Sequence, residues 1–336
     1  YNMEYNALAV KPQLCLKADE ALLKKPQEIA NYICERKYDG TRILPHFDDK
    51  GIKLFTRNGK NELSKQYPEI IEAFEEIGDI PSGTIYDGEL VFMNSNDEVE
   101  FQSALITREN AQQRGLRPVL ILFDALRLGT YDASKEDVLS RKLSLEEYIF
   151  ESKHIQLAPY YTNPAYYYDY FLEECENGRE GIILKDKDVS YQENARNKSW
   201  LKFKRHDTMD CVVLGITEGT GKYKDTFGAL ILGMVTGNSI RVCGYCSGMT
   251  DSEREELYNR IMDMDEYTYN KKFSKPIVRT IAPTIVVEVE YMEMTEYLMM
   301  RHPRFVRVRD DKTIDIPQDA YPTKTEKRPS LSEWGF

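Results

Sequence analysis

Glu35-Arg36-Lys37-Tyr38-Asp39-Gly40-Thr41-Arg42 sets a lysine where a strand runs out and a turn begins. Residues 32–39 read as that strand, and Asp39-Gly40 ends it. Gly40 lets the backbone fold tightly there. An amine projected into such a turn is nucleophilic only when neutral. Its ordinary pKa of about 10.4 must then be lowered, by burial or by nearby cations. Taken alone, the octapeptide reads equally well as a charged hairpin turn.

Working outward, residues 18–33 predict a helix with Asp19 as its cap. Residues 41–47 and 52–56 predict a hairpin around Asp48-Asp49-Lys50-Gly51. Helices are expected at 68–77, 101–114, 135–150 and 164–176, and strands at 84–93, 119–123, 181–185 and 200–204. The apolar run at 119–123 is expected to be buried on both faces. This mixture makes an α/β or α+β domain, with α+β and mixed or antiparallel sheets the form expected. Beyond Arg205 the character changes. Strands are expected at 210–216, 228–235, 239–246 and 285–291, with Gly237-Asn238 as a hairpin turn and a single helix at 251–264. Several strands with one helix suit a small all-β barrel such as an OB-fold. The expected organisation is a first domain over 1–207, the barrel over 208–320 and a loose tail over 321–336.

A chain of 336 residues with 41% hydrophobic side chains fits about two globular domains. No apolar run is long enough to cross a bilayer, so no membrane partner is expected. No secretory signal opens the sequence, and an intracellular setting is expected. The six cysteines form no repeating framework and are expected as reduced thiols. Cys243-Gly244-Tyr245-Cys246 lies on a predicted strand with no second pair, which favours strand cysteines over a zinc site. The net charge of −11 weighs mildly against a nucleic-acid partner. Phosphates are bound by local clusters, however, and residues 198–205 and 301–312 are basic.

Other segments give the first octapeptide a context. Phe55-Thr56-Arg57-Asn58-Gly59 sets an arginine beside a turn. Tyr86-Asp87-Gly88-Glu89-Leu90 puts two carboxylates around a glycine in a strand. Leu122-Phe123-Asp124 ends a buried strand on an aromatic. Glu180-Gly181-Ile182-Ile183-Leu184-Lys185 places an acid and a base at opposite ends of an apolar strand. Trp200-Leu201-Lys202-Phe203-Lys204 alternates, so Lys202 and Lys204 share a face while Leu201 and Phe203 point to a core.

These segments, in this order, resemble motifs I, Ia, III, IIIa, IV and V of the covalent nucleotidyltransferases. Arg304-Phe305-Val306-Arg307-Val308-Arg309-Asp310-Asp311-Lys312 resembles motif VI. Within that superfamily the chain most resembles ATP-dependent DNA ligases. Arg57-Asn58-Gly59, the motif V segment, Arg304-Phe305 and Gly219-Thr220-Gly221-Lys222-Tyr223 carry this closer likeness. The resemblance implies a nucleotidyltransferase (adenylation) domain followed by an OB-fold. It implies that Lys37 takes AMP from ATP, with Glu35 and Phe123 at the adenine, Arg42 and Glu89 at the ribose, and Arg57 at a phosphate. Lys202 and Lys204 would hold the α-phosphate. Glu180 would bind Mg²⁺ or Mn²⁺, with Asp39 assisting, and Lys185 would belong to the nucleotide site. Arg307, Arg309 and Lys312 would act on the β- and γ-phosphates. The implied partner is nicked duplex DNA, engaged by a monomer. Rival readings are an mRNA capping guanylyltransferase, an RNA ligase, or a non-catalytic OB-fold nucleic-acid-binding homologue. The tyrosines at 160, 161 and 166–168 suit a binding surface or helix packing equally well.

Overall fold

Strand pairing sorts the first 205 residues into two five-stranded sheets. The computed structural model describes residues 4–100 and 103–326. Along the first unit run β1 (Leu14–Lys17), β2 (Tyr32–Lys37), β3 (Thr41–Asp48), β4 (Gly51–Thr56), α1 (Pro68–Ile77), β5 (Ile85–Met93), α2 (Arg108–Gln113), β6 (Arg117–Arg127), α3 (Val138–Tyr148), β7 (Ile155–Leu157), β8 (Tyr160–Tyr161), α4 (Tyr167–Glu176), β9 (Gly181–Asp186) and β10 (Arg196–Lys204). One sheet has the order β1-β10-β9-β2-β8, and the other β4-β3-β5-β6-β7. The turn at Asp39-Gly40 passes the chain from the first sheet to the second, because β2 and β3 flank it.

That passage requires glycine. A Cβ on Gly40 would lie 2.1 Å from the Leu90 carbonyl oxygen of β5. The backbones are therefore as close there as strand packing permits.

Apolar alternation decides which faces are covered. Leu201, Phe203, Ile182, Leu184 and Cys34 form one core with Tyr167 and Phe171 of α4. Val119, Leu120, Ile121 and Leu122 of β6 are all buried. That matches a strand covered on both faces. Amphipathic α1 packs Ile70, Ala73 and Phe74 into the second sheet's core.

The second unit, from His206, holds β11 (Asp207–Thr217), β12 (Leu230–Thr236), β13 (Ser239–Cys246), α5 (Asp251–Asp263), β14 (Tyr267–Thr268), β15 (Ile277–Thr280), β16 (Val286–Tyr291), β17 (Arg304–Val308) and β18 (Thr323–Lys324). Its sheet has the order β13-β12-β11-β16-β17, with β15 on β11. The sheet curls shut. Ser247, just past β13, bridges Arg304 of β17, and Phe305 N donates to the Ser247 carbonyl at 2.9 Å. Closure removes the open edges, as in an OB-fold barrel. Thr250 and Glu253 form a capping box at the start of α5. Cys243 and Cys246 are buried in this barrel's core, as strand thiols.

Four expectations differ from the structure. The helix expected over 18–33 is only the short 3₁₀ turn Glu20–Lys24. Pro26 stops it, since proline supplies no N–H and restricts the residue before it. The helix expected over 101–114 shortens to α2 after the 3₁₀ turn Ser103–Leu105, with Phe101 outside the described residues. The tail from Tyr321 is not uniformly loose. Thr323–Lys324 pairs antiparallel with Tyr267–Thr268, and Thr325 N donates to the Glu266 carbonyl at 2.9 Å. Residues 327–336 lie outside the described range. The first unit ends at Arg205, two residues before the expected boundary at 207.

Candidate active site

Sheet register assembles the site. Ile33, Glu35 and Lys37 of β2 pair with Lys185, Ile183 and Gly181 of β9. Those in turn pair with Trp200, Lys202 and Lys204 of β10. Paired residues share a face, and the side-chain period along a strand is two. Glu35, Lys37, Lys185, Trp200, Lys202 and Lys204 therefore stand on one face. The opposite face carries Leu201, Phe203, Ile182 and Leu184 into the core.

Gly181 holds the row together. It has φ +152°, and a Cβ there would fall 1.9 Å from the Phe203 carbonyl oxygen. Only glycine lets β9 begin this close to β10, immediately after Glu180.

Above this face lies a cavity of about 200 Å³. Glu35, Lys37, Arg42, Arg57, Glu89, Phe123, Lys185 and Lys202 all line it, together with Trp200. Glu180 meets Lys37 at 2.6 Å, Nζ to Oε1, and Lys204 Nζ is 4.0 Å from the same oxygen. Asp39 lies in the turn, two residues past Lys37, and is not part of the lining. Arg57 is exposed at the rim.

The electrostatics differ from expectation at Lys37. Burial pushes its ammonium down, but the Glu180 carboxylate outweighs burial and the net shift is upward. Lys202 moves the expected way. Burial lowers it first, and Lys204 and Lys37 lower it further. Glu89 is pushed up to about 7, chiefly by burial, with Asp87 and Glu180 adding to it against Arg42 and Lys37.

Arg42 is committed to a partner. Its Nε and Nη2 make a bidentate pair with buried Asp87, each at 2.6 Å, and Nη2 also donates to the Gln13 carbonyl at 3.0 Å. Tyr191 OH donates to Asp87 at 2.7 Å. The guanidinium lies 5.1 Å from the Phe123 ring centroid, and Lys185 Nζ lies 4.3 Å from it. Cations thus frame Phe123, and Trp200 meets its edge at 6.2 Å.

The cations of the motif VI segment lie in the second unit, each against an acid there. Arg307 Nε meets Glu288 at 2.9 Å. Arg309 is 3.4 Å from Asp210 and 3.0 Å from Asp311, and Lys312 also pairs with Asp210.

Two family descriptions match the chain over these same segments. The ATP dependent DNA ligase domain matches residues 12–204, and the ATP dependent DNA ligase C terminal region matches 223–312. The chain belongs to the ATP-dependent DNA ligase family. It is 31% identical to the DNA ligase of Haloarcula marismortui over 308 residues, covering 84% of this chain and 52% of that protein. It is 31% identical to the DNA ligase of Methanothermobacter thermautotrophicus over 331 residues, covering 91% and 56%. The chain spans about half the length of the curated relatives it matches. Its fold is similar to a solved structure of mycobacterial DNA ligase D complexed with ATP and MES. The TM-score is 0.59 at 23% identity, with 90% of this chain and 96% of that one covered.

Reasoning from the sequence did not pick out several residues of this ligase-family site. Trp200 was read only as part of an alternating strand, yet it lines the cavity beside Phe123. Asp87 and Tyr191 tether Arg42 from below. Arg141 and Lys142 are fully buried charges on α3. A signal for them was present. Val138, Arg141, Lys142 and Leu145 fall at i, i+3, i+4 and i+7, an apolar helical stripe with two cations in core positions.

Proposed function

We propose that this chain seals nicks in duplex DNA at the expense of ATP, through an AMP carried on Lys37. The observation that carries the reading is the shared face of β2, β9 and β10. It sets Lys37 beside Glu180, with Lys202 and Lys204 in line, at the edge of a cavity walled by Glu35 and Phe123. Phe123 and Glu35 take the adenine, Arg42 and Glu89 face the ribose, and Arg57 meets a phosphate from the rim. Lys185 holds Glu35. Lys202 and Lys204 hold the α-phosphate and neutralise the charge that grows on it.

Lys37 attacks as a free amine, so its contact with Glu180 breaks first and its proton leaves Nζ. A P–N bond forms to the α-phosphorus, and the P–O bond to pyrophosphate breaks. Next, the 5′-phosphate of the nick attacks the same phosphorus. A phosphoanhydride forms, and Lys37 departs with a proton restored. Last, the 3′-hydroxyl attacks the 5′-phosphate, loses its proton and expels AMP. AMP is a far better leaving group than the oxide of a bare phosphate.

A divalent cation fits these residues in one manner. Among the described residues no three acidic, histidine or cysteine side chains cluster as a metal cage. Mg²⁺ is commonly held by one or two carboxylates plus substrate phosphates. Glu180, with Asp39 two residues past its partner Lys37, offers that set. When bound, the ion supplies charge neutralisation at the phosphates.

Labelling tests the reading. The protein is incubated with Mg²⁺ and α-labelled ATP, GTP or NAD, and the protein-bound label is followed. A nicked duplex is then added. Label from ATP that is chased into sealed DNA is the expected result. Preference for GTP would move the chain to the capping branch, and no adduct with any nucleotide would leave a binding homologue.

A further inference from the structure

Lys142 has no place in the chemistry above, yet it is one of the most buried cations in the first unit. Its side chain is 4% exposed and that of its partner Glu35 is 3%. From α3 its Nζ donates to Glu35 Oε1 and, at 2.7 Å, to the Phe123 carbonyl. It thus joins β2 of one sheet to β6 of the other, at the two residues that wall the base end of the cavity.

Its own position is rigid. The neighbouring Arg141 makes two bonds to Asp124, at 2.7 and 3.2 Å, and a third to the Glu136 carbonyl at 2.7 Å. The start of α3 is capped by Asp137. The helix therefore cannot slide against β6 without breaking a buried ion pair.

Glu35 Oε2 is left differently from Oε1. It meets Lys185 Nζ at 2.5 Å, a single partner for an oxygen with two lone pairs. It is a buried acceptor in the cavity lining with capacity for an N–H donor. Burial alone pushes the Glu35 carboxyl up, but Lys142 and Lys185 together bring it below its ordinary value. The group is therefore an anion. An anion accepts from an exocyclic amine and repels a carbonyl oxygen.

We propose that Lys142 is a positioning residue for base recognition: by holding Glu35 and the Phe123 carbonyl at once, it sets the acceptor and the stacking wall that together select a 6-aminopurine nucleotide. The proposal rests on the self-adenylylation reading above. It adds a residue that touches no nucleotide and acts through Glu35.

The test is a ratio. Self-labelling is measured for the whole chain with ATP and with purine riboside triphosphate, which lacks only the 6-amino group. Wild type should prefer ATP by about 10-fold or more in kcat/KM, as expected for one hydrogen bond to a charged acceptor. In Lys142→Met the preference should collapse toward unity, through a higher KM for ATP, while the rate with the analogue is spared. Lys142→Arg should restore most of the preference. Lys142→Gln, which keeps a donor without the charge, covers the case in which Lys142→Met does not fold, and should lose about half of the preference on a logarithmic scale. A purely structural Lys142 would lower both nucleotides equally. An unchanged ratio in the Met or Gln variant overturns the proposal, and so does a wild type indifferent to the amine. A wild type that labels with no nucleotide is a separate failure, of the adenylylation reading itself.

Discussion

Lys37 Nζ and Glu180 Oε1 lie 2.6 Å apart, although 143 positions separate them in the chain. The contact follows from one backbone pairing. Lys37 sits opposite Gly181, so the residue before Gly181 meets the lysine end-on. The nucleophile is thus aimed by sheet register, and its amine is held charged until that contact is given up.

Lys37→Arg separates position from chemistry. A guanidinium keeps the ion pair with Glu180 but does not lose its proton. The variant should melt close to wild type and form no AMP adduct. It should still seal a nick that already carries 5′-AMP, because the lysine is needed to load the nucleotide. Labelling of the arginine variant, measured with α-labelled ATP, would reject Lys37 as the carrier.

Arg309→Ala/Lys312→Ala addresses the second unit. Both cations share Asp210 there. If they serve the β- and γ-phosphates, the double variant should lose on the order of 10²-fold in self-adenylylation. Sealing of pre-adenylylated nicks should be largely spared. Comparing the two steps side by side decides it. Normal loading with failure only at DNA binding would assign these cations to the DNA backbone.

His46 gives the first unit a pH-dependent stability. It is fully buried, accepts from Ala9 N at 3.1 Å through Nε2, and its Nδ1 lies 2.8 Å from the Leu44 carbonyl. Those roles need the neutral ring. Burial lowers its pKa from 6.5 to about 4. Above 6.5 both folded and unfolded forms are neutral, so the group has no effect on the balance. As pH falls from 6.5 toward 4, only the unfolded chain takes up the proton. Stability falls by roughly 3 kcal/mol across that window. Denaturant unfolding at a series of pH values should show this slope, and His46→Gln, which does not titrate, should flatten it.

Gly181→Ala should be costly for so small a change. The new methyl would sit 1.9 Å from the Phe203 carbonyl oxygen, at a φ of +152° that L-residues avoid. A loss of roughly 2–4 kcal/mol is expected, since β9 must draw back from β10. Adenylylation should fall with it, because the same shift moves Glu180 away from Lys37. Wild-type melting temperature in this variant would show that the strands tolerate separation.

Nick sealing should weaken steeply with salt despite the net charge of −11. The basic segments 198–205 and 301–312 supply local cations. If they neutralise on the order of six phosphates, DNA affinity should drop about 10³-fold between roughly 50 and 200 mM salt. Affinity measured across that range would be flat if these segments do not meet DNA.

Much of this was legible without coordinates, for a local reason. Alternation along residues 200–204 already put Lys202 and Lys204 opposite Leu201 and Phe203, and the structure buries the latter two. The apolar run in β6 announced a strand covered on both faces. The change of pattern past Arg205 announced a barrel. Each of these depends on side-chain period within one element. The motif segments also named eight of the residues that line the cavity: Glu35, Lys37, Arg42, Arg57, Glu89, Phe123, Lys185 and Lys202.

What the sequence could not determine depends on partners distant along the chain. Whether Lys37 is lowered or raised is decided by the registry of β2 on β9, which delivers Glu180 rather than the lysines of β10 to its amine. Arg42 was read toward the ribose, and what the sequence did not show is its tether to Asp87, which Tyr191 completes from over a hundred positions away. Arg141 and Lys142 show in the sequence only as cations at core positions of a helical stripe, and β6 and β2 decide which acids they meet. Electrostatic energy depends on distance and burial, and both are set only when non-adjacent strands pair. The sequence by itself determined which side chains stand on which face, and tertiary packing decided which charges meet.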